Sequence, residues 1–305
     1  MTCPQAVPPR TAILFLTHLF DQDALAALRA IELCAGAGDV HVLADATSAV
    51  PQLRTRLHCF DFSQLRQRYP GAMGNRLVPG NGHLPLLSFY GAHPEYDYYW
   101  IVEYDVRFTG SWETFFNEFS NNTADLLGVH LRRFAEEPEW FWWKTLKTPA
   151  GAADHASIRA FMPLYRISRT AVSLLSKYTG NGWSGHHECL VPSLLAHHGL
   201  RLEDIGGDGS STPPERRGRF YTTFAFRGHL RHLGSMRHRP PLIAWGGRRN
   251  FLYHPVKNGT ASRPLAAVNA LLCVAYCLKH MLSAHGHIFI RDLLHYARLL
   301  LTRRP

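Results

Sequence analysis

Apolar residues fall into two rhythms along the first hundred positions. Residues 11–17 (TAILFLT) form an unbroken apolar run of strand length, and 40–44 (VHVLA) form another. Between them, 21–35 carries Leu25, Leu28, Ile31 and Leu33 near one face of a helix. Asp21 and Asp23 stand near its start and Gly36 follows its end. Strand, helix and strand in this order predict a βαβ beginning, hence a parallel sheet with a right-handed crossover.

The run Tyr98-Tyr99-Trp100-Ile101-Val102 is aromatic and β-branched without a polar break, as expected of a central parallel strand. Glu103 and Asp105 follow with one residue between them. In an extended chain such residues point to the same side, so both acids leave the sheet at its carboxyl end, where open α/β sheets bind ligands. Two convergent carboxylates suit a hard divalent cation, Mg²⁺ or Mn²⁺. They equally suit a strand end satisfied by Arg107 or water, and the spacing alone does not separate these readings.

His18 and Asp45 end the first two strands and are expected at the same rim. An acid at the end of a second strand can hold a ribose hydroxyl. Residues 46–82 read as irregular, rich in Arg, Gly and Pro, with Arg76 able to reach an anion. A short helix is expected over 83–90, and Gly110-Ser111 caps another that buries Trp112, Phe115, Phe116 and Phe119. Strands are expected over 124–129, 160–167 and 200–205, with helices over 168–178 and 190–197.

Two stretches suggest chemistry beyond the core. Trp140, Trp142 and Trp143 lie within four positions, and aromatic walls of this kind stack on sugar rings or bases. A loop folded over its own aromatics is the alternative. Asn181-Gly182-Trp183-Ser184-Gly185-His186-His187-Glu188 passes from glycine-rich to polar just before an apolar helix. A carboxylate there serves either as general base for a hydroxyl or as a capping acid. Trp183 and His187 join the three tryptophans as candidate acceptor contacts.

The formal charge of +10 on 305 residues points to an anionic partner such as nucleotide phosphates or an acidic membrane surface. No basic-aromatic nucleic-acid signature stands out, so nucleic acid is not expected. The six cysteines are scattered and include no CxxC pair, which fits a reducing cytoplasm. The start lacks the basic and apolar segments of a signal peptide. Residues 206–249 read as a basic loop, a lid or a solvated surface. Beyond 261, two apolar-faced helices with Lys279, Arg291 and Arg298 form either a hairpin on the main domain or a peripheral contact with an anionic membrane.

With these residues in place, the chain resembles the GT-A-type glycosyltransferases of the nucleotide-diphospho-sugar transferase superfamily. Tyr98-Tyr99-Trp100-Ile101-Val102-Glu103-Tyr104-Asp105-Val106-Arg107-Phe108 stands where that superfamily carries its DxD motif. The resemblance covers residues 10–260 and leaves 261–305 as a helical appendage. It implies an α/β, Rossmann-like sandwich with a mostly parallel central sheet. It implies that Asp105 binds Mn²⁺ or Mg²⁺ held by a nucleotide-diphospho-sugar, with Glu103 in place of the first Asp on metal or ribose. His254 is similar to the late histidine that completes metal coordination. Glu188 is similar to the acid that acts as base in inverting members. The implied activity is sugar transfer to a glycan or glycolipid hydroxyl. A non-catalytic glycan- or nucleotide-binding protein and a metal-dependent phosphoesterase are the alternatives.

Overall fold

A computed structural model describes residues 9–34, 36–225, 232–238 and 248–257. The two expected C-terminal helices, and with them the expected appendage, lie outside the described residues. So does part of the basic loop.

The first strand, β1 (Thr11–Thr17), is followed by helix α1 (Gln22–Glu32) and β2 (Asp39–Asp45). Asp21 caps α1 by accepting from the Ala24 amide at 2.8 Å. Next come β3 (Arg56–Phe60), α2 (Phe62–Arg68), α3 (Leu84–Ala92) and β4 (Tyr98–Glu103). The short β5 (Arg107–Phe108), α4 (Trp112–Glu118) and β6 (Leu126–Arg133) come after them. A small hairpin of β7 (Lys147–Thr148) and β8 (Gly151–Ala152) precedes β9 (Ile158–Ser168). Helices α5 (Arg169–Tyr178) and α6 (His187–His197) lead to β10 (Leu202–Asp204), β11 (Thr223–Ala225), β12 (His232–Gly234) and β13 (Leu252–Tyr253).

Seven strands form one sheet in the order β10-β6-β9-β4-β1-β2-β3. All its neighbours pair in parallel except β9, which runs antiparallel between β4 and β6. The protein is therefore an α/β sandwich with a mostly parallel central sheet, as expected. Alternation along the buried strands divides its core. Ile13, Phe15, Trp100 and Val102 pack with Leu28 and Ile31 of α1 and with Trp112, Phe115 and Phe116 of α4. Ala12, Leu14, Tyr99 and Ile101 face the other layer, built from α2, α3, α5 and α6. Trp100 meets the rings of Phe115, Phe116 and Phe119 at 5.3–5.7 Å. Burying a side chain of that size stabilises the fold by roughly 2–3 kcal/mol.

The stretch 46–82 is more ordered than expected. It contains β3 and α2, the latter capped by Asp61 through the amides of Ser63 and Gln64. β3 is an edge strand, so Arg56, Leu57 and Cys59 face solvent and its composition resembles a loop. β9 runs past the expected end at both termini, and α6 begins at His187, three residues before the expected start. Among the described residues, no helix is long and apolar enough to cross a membrane.

Candidate active site

β4 stops at Glu103, and the chain turns at once: the Val106 amide donates to the Glu103 carbonyl at 3.0 Å. The two acids are thus brought together by a turn, not by continuing an extended strand. Arg107 holds that turn from within. Its guanidinium donates to the carbonyls of Tyr104 (2.7 Å), Val106 (2.9 Å) and Asp23 (3.1 Å). With all three bonds going to backbone, Arg107 is committed to shaping the turn.

The third member arrives from the far end of the described chain. β13 pairs antiparallel with β5, and the Val256 amide donates to the Asp105 carbonyl at 2.9 Å. This lays His254 against the turn. Its Nε2 lies 3.3 Å from Asp105 Oδ1 and 3.6 Å from Glu103 Oε2. Each of the three residues offers a ligand atom, all within 4.8 Å of one another. Two oxygens and one imidazole nitrogen form a donor set suited to Mn²⁺ or Mg²⁺.

Two further observations fit a cation. Asp105 is 4% exposed, and its buried Oδ1 has no well-formed hydrogen bond despite the nearby imidazole. His254 Nδ1 faces the Arg237 carbonyl at 2.8 Å. Donation there orients Nε2 toward the carboxylates, the arrangement that metal-binding histidines use. Without a metal, burial opposes a charged His254, but Asp105 and Glu103 outweigh it and raise the imidazole pKa to about 10. Burial likewise opposes an ionised Asp105, yet His254 and then Lys257 bring its pKa below the ordinary value.

Lys257 joins this site without any sequence motif to mark it. Its Nζ lies 3.5 Å from Asp105 Oδ2 and donates to Tyr104 Oη at 3.1 Å. His18 is at the same rim, its ring edge-on to Tyr104 at 4.9 Å. Desolvation and then Lys257 lower the His18 pKa, against the opposing pull of Asp105 and Glu103. Asp45 also ends its strand at this rim, two strands from β4. Its Oδ1 is engaged by the amide (2.9 Å) and hydroxyl (2.6 Å) of Thr47. Arg76 is exposed, on the loop whose backbone is clamped by Asn81.

Glu188 occupies the second position of α6, on the sheet face that also carries Tyr99 and Ile101. Its side chain is 13% exposed. Burial pushes its pKa up to about 7, against the charge of Arg159 and a hydrogen bond from the Met162 amide. The charges of Glu103 and His254 also act on it, so it shares an electrostatic environment with the acid turn. Arg159, itself 1% exposed, donates to Glu137 Oε2 at 2.9 Å and lies 4.1 Å over the Trp140 ring. Glu137 Oε1 is 2.8 Å from His130 Nε2. His130 has a φ of 53° where the pairing of β6 with β9 shifts register. A bulge of this kind re-aims side chains near functional sites. Nothing in the local sequence marks Arg159 or Glu137, because their pairing depends on that irregular register.

The expected aromatic wall is smaller than the sequence suggests. Trp140, Trp143 and Trp183 are only 4–7% exposed and belong to the core. The cluster thus serves largely to bury itself, leaving the half-buried Trp142 and the exposed Phe141 as its outer members. Trp142 stacks on His186 at 4.5 Å, and His186 on His187 at 4.8 Å. Burial depresses the pKa of His187 to about 4 and that of His186 further, so both are neutral at physiological pH. A cavity of about 420 Å³ opens elsewhere, beside Arg10, Gly38 and Phe116 near the amino ends of β1 and β4.

A family model described as a protein of unknown function, DUF3405, matches residues 46–126 and so takes in Glu103 and Asp105. No curated protein matches the chain. Among solved structures, one similar fold is a Bacillus anthracis protein assigned as a glucose-1-phosphate thymidylyltransferase, solved with sucrose. The TM-score is 0.38 at 10% identity, over 67% of this chain and 90% of that one. Another is a glycosyltransferase involved in glycosylation of the major capsid of PBCV-1. Its TM-score is 0.27 at 10% identity, over 57% of this chain and 68% of that one. At such distances neither likeness bears on chemistry, which has to come from the residues.

Proposed function

We propose that the protein is a metal-assisted glycosyltransferase that moves a sugar from a nucleotide-diphospho-sugar to an acceptor hydroxyl. The observation that carries this reading is the meeting of Glu103, Asp105 and His254 within 4.8 Å at the carboxyl rim, with Glu188 in their electrostatic reach. Glu103, Asp105 and His254 would hold Mn²⁺ or Mg²⁺. When bound, such an ion supplies neutralisation of the diphosphate charge that grows as the sugar leaves.

The chain's own residues do the rest. Glu188, ionised above its raised pKa, accepts the acceptor's hydroxyl proton. The freed oxygen forms its bond to the anomeric carbon as the bond from that carbon to the diphosphate breaks. Direct displacement of this kind inverts the anomeric centre. Lys257 stands beside Asp105 as a second positive group for the leaving diphosphate. His18 and Asp45, at the ends of β1 and β2, line the side on which a nucleoside would lie, and Arg76 is available to an anion. On the acceptor side, the half-buried Trp142 offers its outer face to a glycan or glycolipid, whereas the His187 ring is covered by His186 on one side and by His83 and Gly82 on the other.

The test is release of nucleoside diphosphate from a panel of uridine, guanosine and thymidine diphospho-sugars, with Mn²⁺ and candidate glycan acceptors. The wild type should release it in an acceptor-dependent way, and Asp105→Asn and Glu188→Gln should not. Turnover unaffected by either substitution contradicts the proposal. Release of inorganic phosphate without acceptor would identify a phosphoesterase instead.

A further inference from the structure

We propose that Lys257 is a placeholder cation that ties metal binding to diphosphate binding. This deepens the glycosyltransferase reading and rests on its metal site. The observation is where Lys257 sits against Asp105. Its Nζ faces Asp105 Oδ2 at 3.5 Å, while His254 Nε2 faces Asp105 Oδ1 at 3.3 Å. Both oxygens of the buried carboxylate therefore already look at nitrogen. The lysine is held there by a donated hydrogen bond to Tyr104 Oη at 3.1 Å and by the Tyr104 ring, whose centroid is 5.5 Å from Nζ.

Charge links the two ligands. The carboxylates of Asp105 and Glu103 face His254, and the Lys257 ammonium adds its charge beside Asp105 at close range. A divalent cation arriving alone meets an already compensated carboxylate and a repelling ammonium, so its binding is weakened. Once the cation's charge rests on Asp105, that carboxylate attracts the ammonium less. A diphosphate attracts it more. Lys257 is 41% exposed, on a flexible stem, and can move its charge from Asp105 to a phosphate oxygen with little rearrangement of backbone. Metal and diphosphate thus strengthen one another's binding, and by reciprocity each does so by the same factor. The site resists filling by a free metal ion and closes around a metal–diphosphate pair.

Mn²⁺ binding, measured by electron paramagnetic resonance with and without pyrophosphate, tests this without any turnover. For the wild type, pyrophosphate should tighten Mn²⁺ binding about tenfold or more. Lys257→Met should bind Mn²⁺ alone about tenfold more tightly than the wild type and lose most of the gain from pyrophosphate. Lys257→Arg, which keeps the charge, should stay close to the wild type. Tyr104→Phe, which only loosens the tether, should fall between wild type and Lys257→Met. Equal Mn²⁺ affinity for wild type and Lys257→Met, or an equal pyrophosphate effect in both, overturns the placeholder while leaving the metal site standing. Absence of Mn²⁺ binding in every variant, even with pyrophosphate, overturns the metal site and the placeholder with it.

Discussion

A glutamate with an ordinary pKa is a weak base at neutral pH, and burial is the means by which Glu188 escapes that limit. Its pKa of about 7 puts proton affinity where a hydroxyl proton has to be taken. In the proposed reaction, kcat/KM should therefore fall on the acid side with an apparent pKa near 7. Glu188→Gln should lose on the order of 10²–10⁴-fold in turnover while keeping the fold. The same group leaves a mark on stability. Its folded pKa lies above the ordinary 4.5, so the stability it contributes is full below pH 4.5 and is lost as pH rises through about 7. Glu188→Gln should consequently melt at higher temperature than the wild type at about pH 8, with the difference vanishing near pH 4. A thermal melt at the two pH values decides this. A variant that is less stable at the higher pH would mean that the carboxylate is held by stronger partners than the Met162 amide and Arg159.

Among elements, the turn from Glu103 to Phe108 is the piece on which the site depends. Arg107 commits its guanidinium to three backbone carbonyls, two within the turn and one at the start of α1. Arg107→Met should cost about 1.5–3 kcal/mol in urea unfolding, the range for hydrogen bonds to a charged donor. It should also weaken Mn²⁺ binding, because Asp105 is aimed by the turn. A variant with unchanged Mn²⁺ affinity would show that β13 alone fixes the acids. The range of each interaction explains how much of this is legible in the sequence. β1, α1, β2 and β4 can be read because burial imposes unbroken apolar runs and helical spacing. β3 and α2 escape such a reading because an exposed edge strand carries the polar residues of a loop, although Asp61 is present as a cap. Glu103 and Asp105 stand out as a local pair, but Lys257 reaches Tyr104 across 153 positions, and no local pattern reports such a contact. The tryptophan cluster misleads for the opposite reason: its composition suggests a binding wall, whereas three-dimensional packing buries most of it.

For the molecule as a whole, six parallel strands bring their carboxyl ends to one rim, and the antiparallel strand β9 brings the start of its run there. Phe161 is thus placed beside the acid turn and meets the His254 ring at 5.2 Å. The net charge of +10 gives the molecule a long-range attraction for anions, an effect that salt screens. Sugar-nucleotide affinity should therefore fall as ionic strength rises, even where the local contacts are unchanged. Calorimetric titration of the wild type and Asp105→Asn with the sugar-nucleotide panel, with and without Mn²⁺, tests the nucleotide-sugar site itself. The wild type should bind at least one sugar nucleotide in a Mn²⁺-dependent manner, and Asp105→Asn should lose that dependence. Binding of no sugar nucleotide under either condition, or equal binding by Asp105→Asn, would contradict a nucleotide-sugar site at the end of β4.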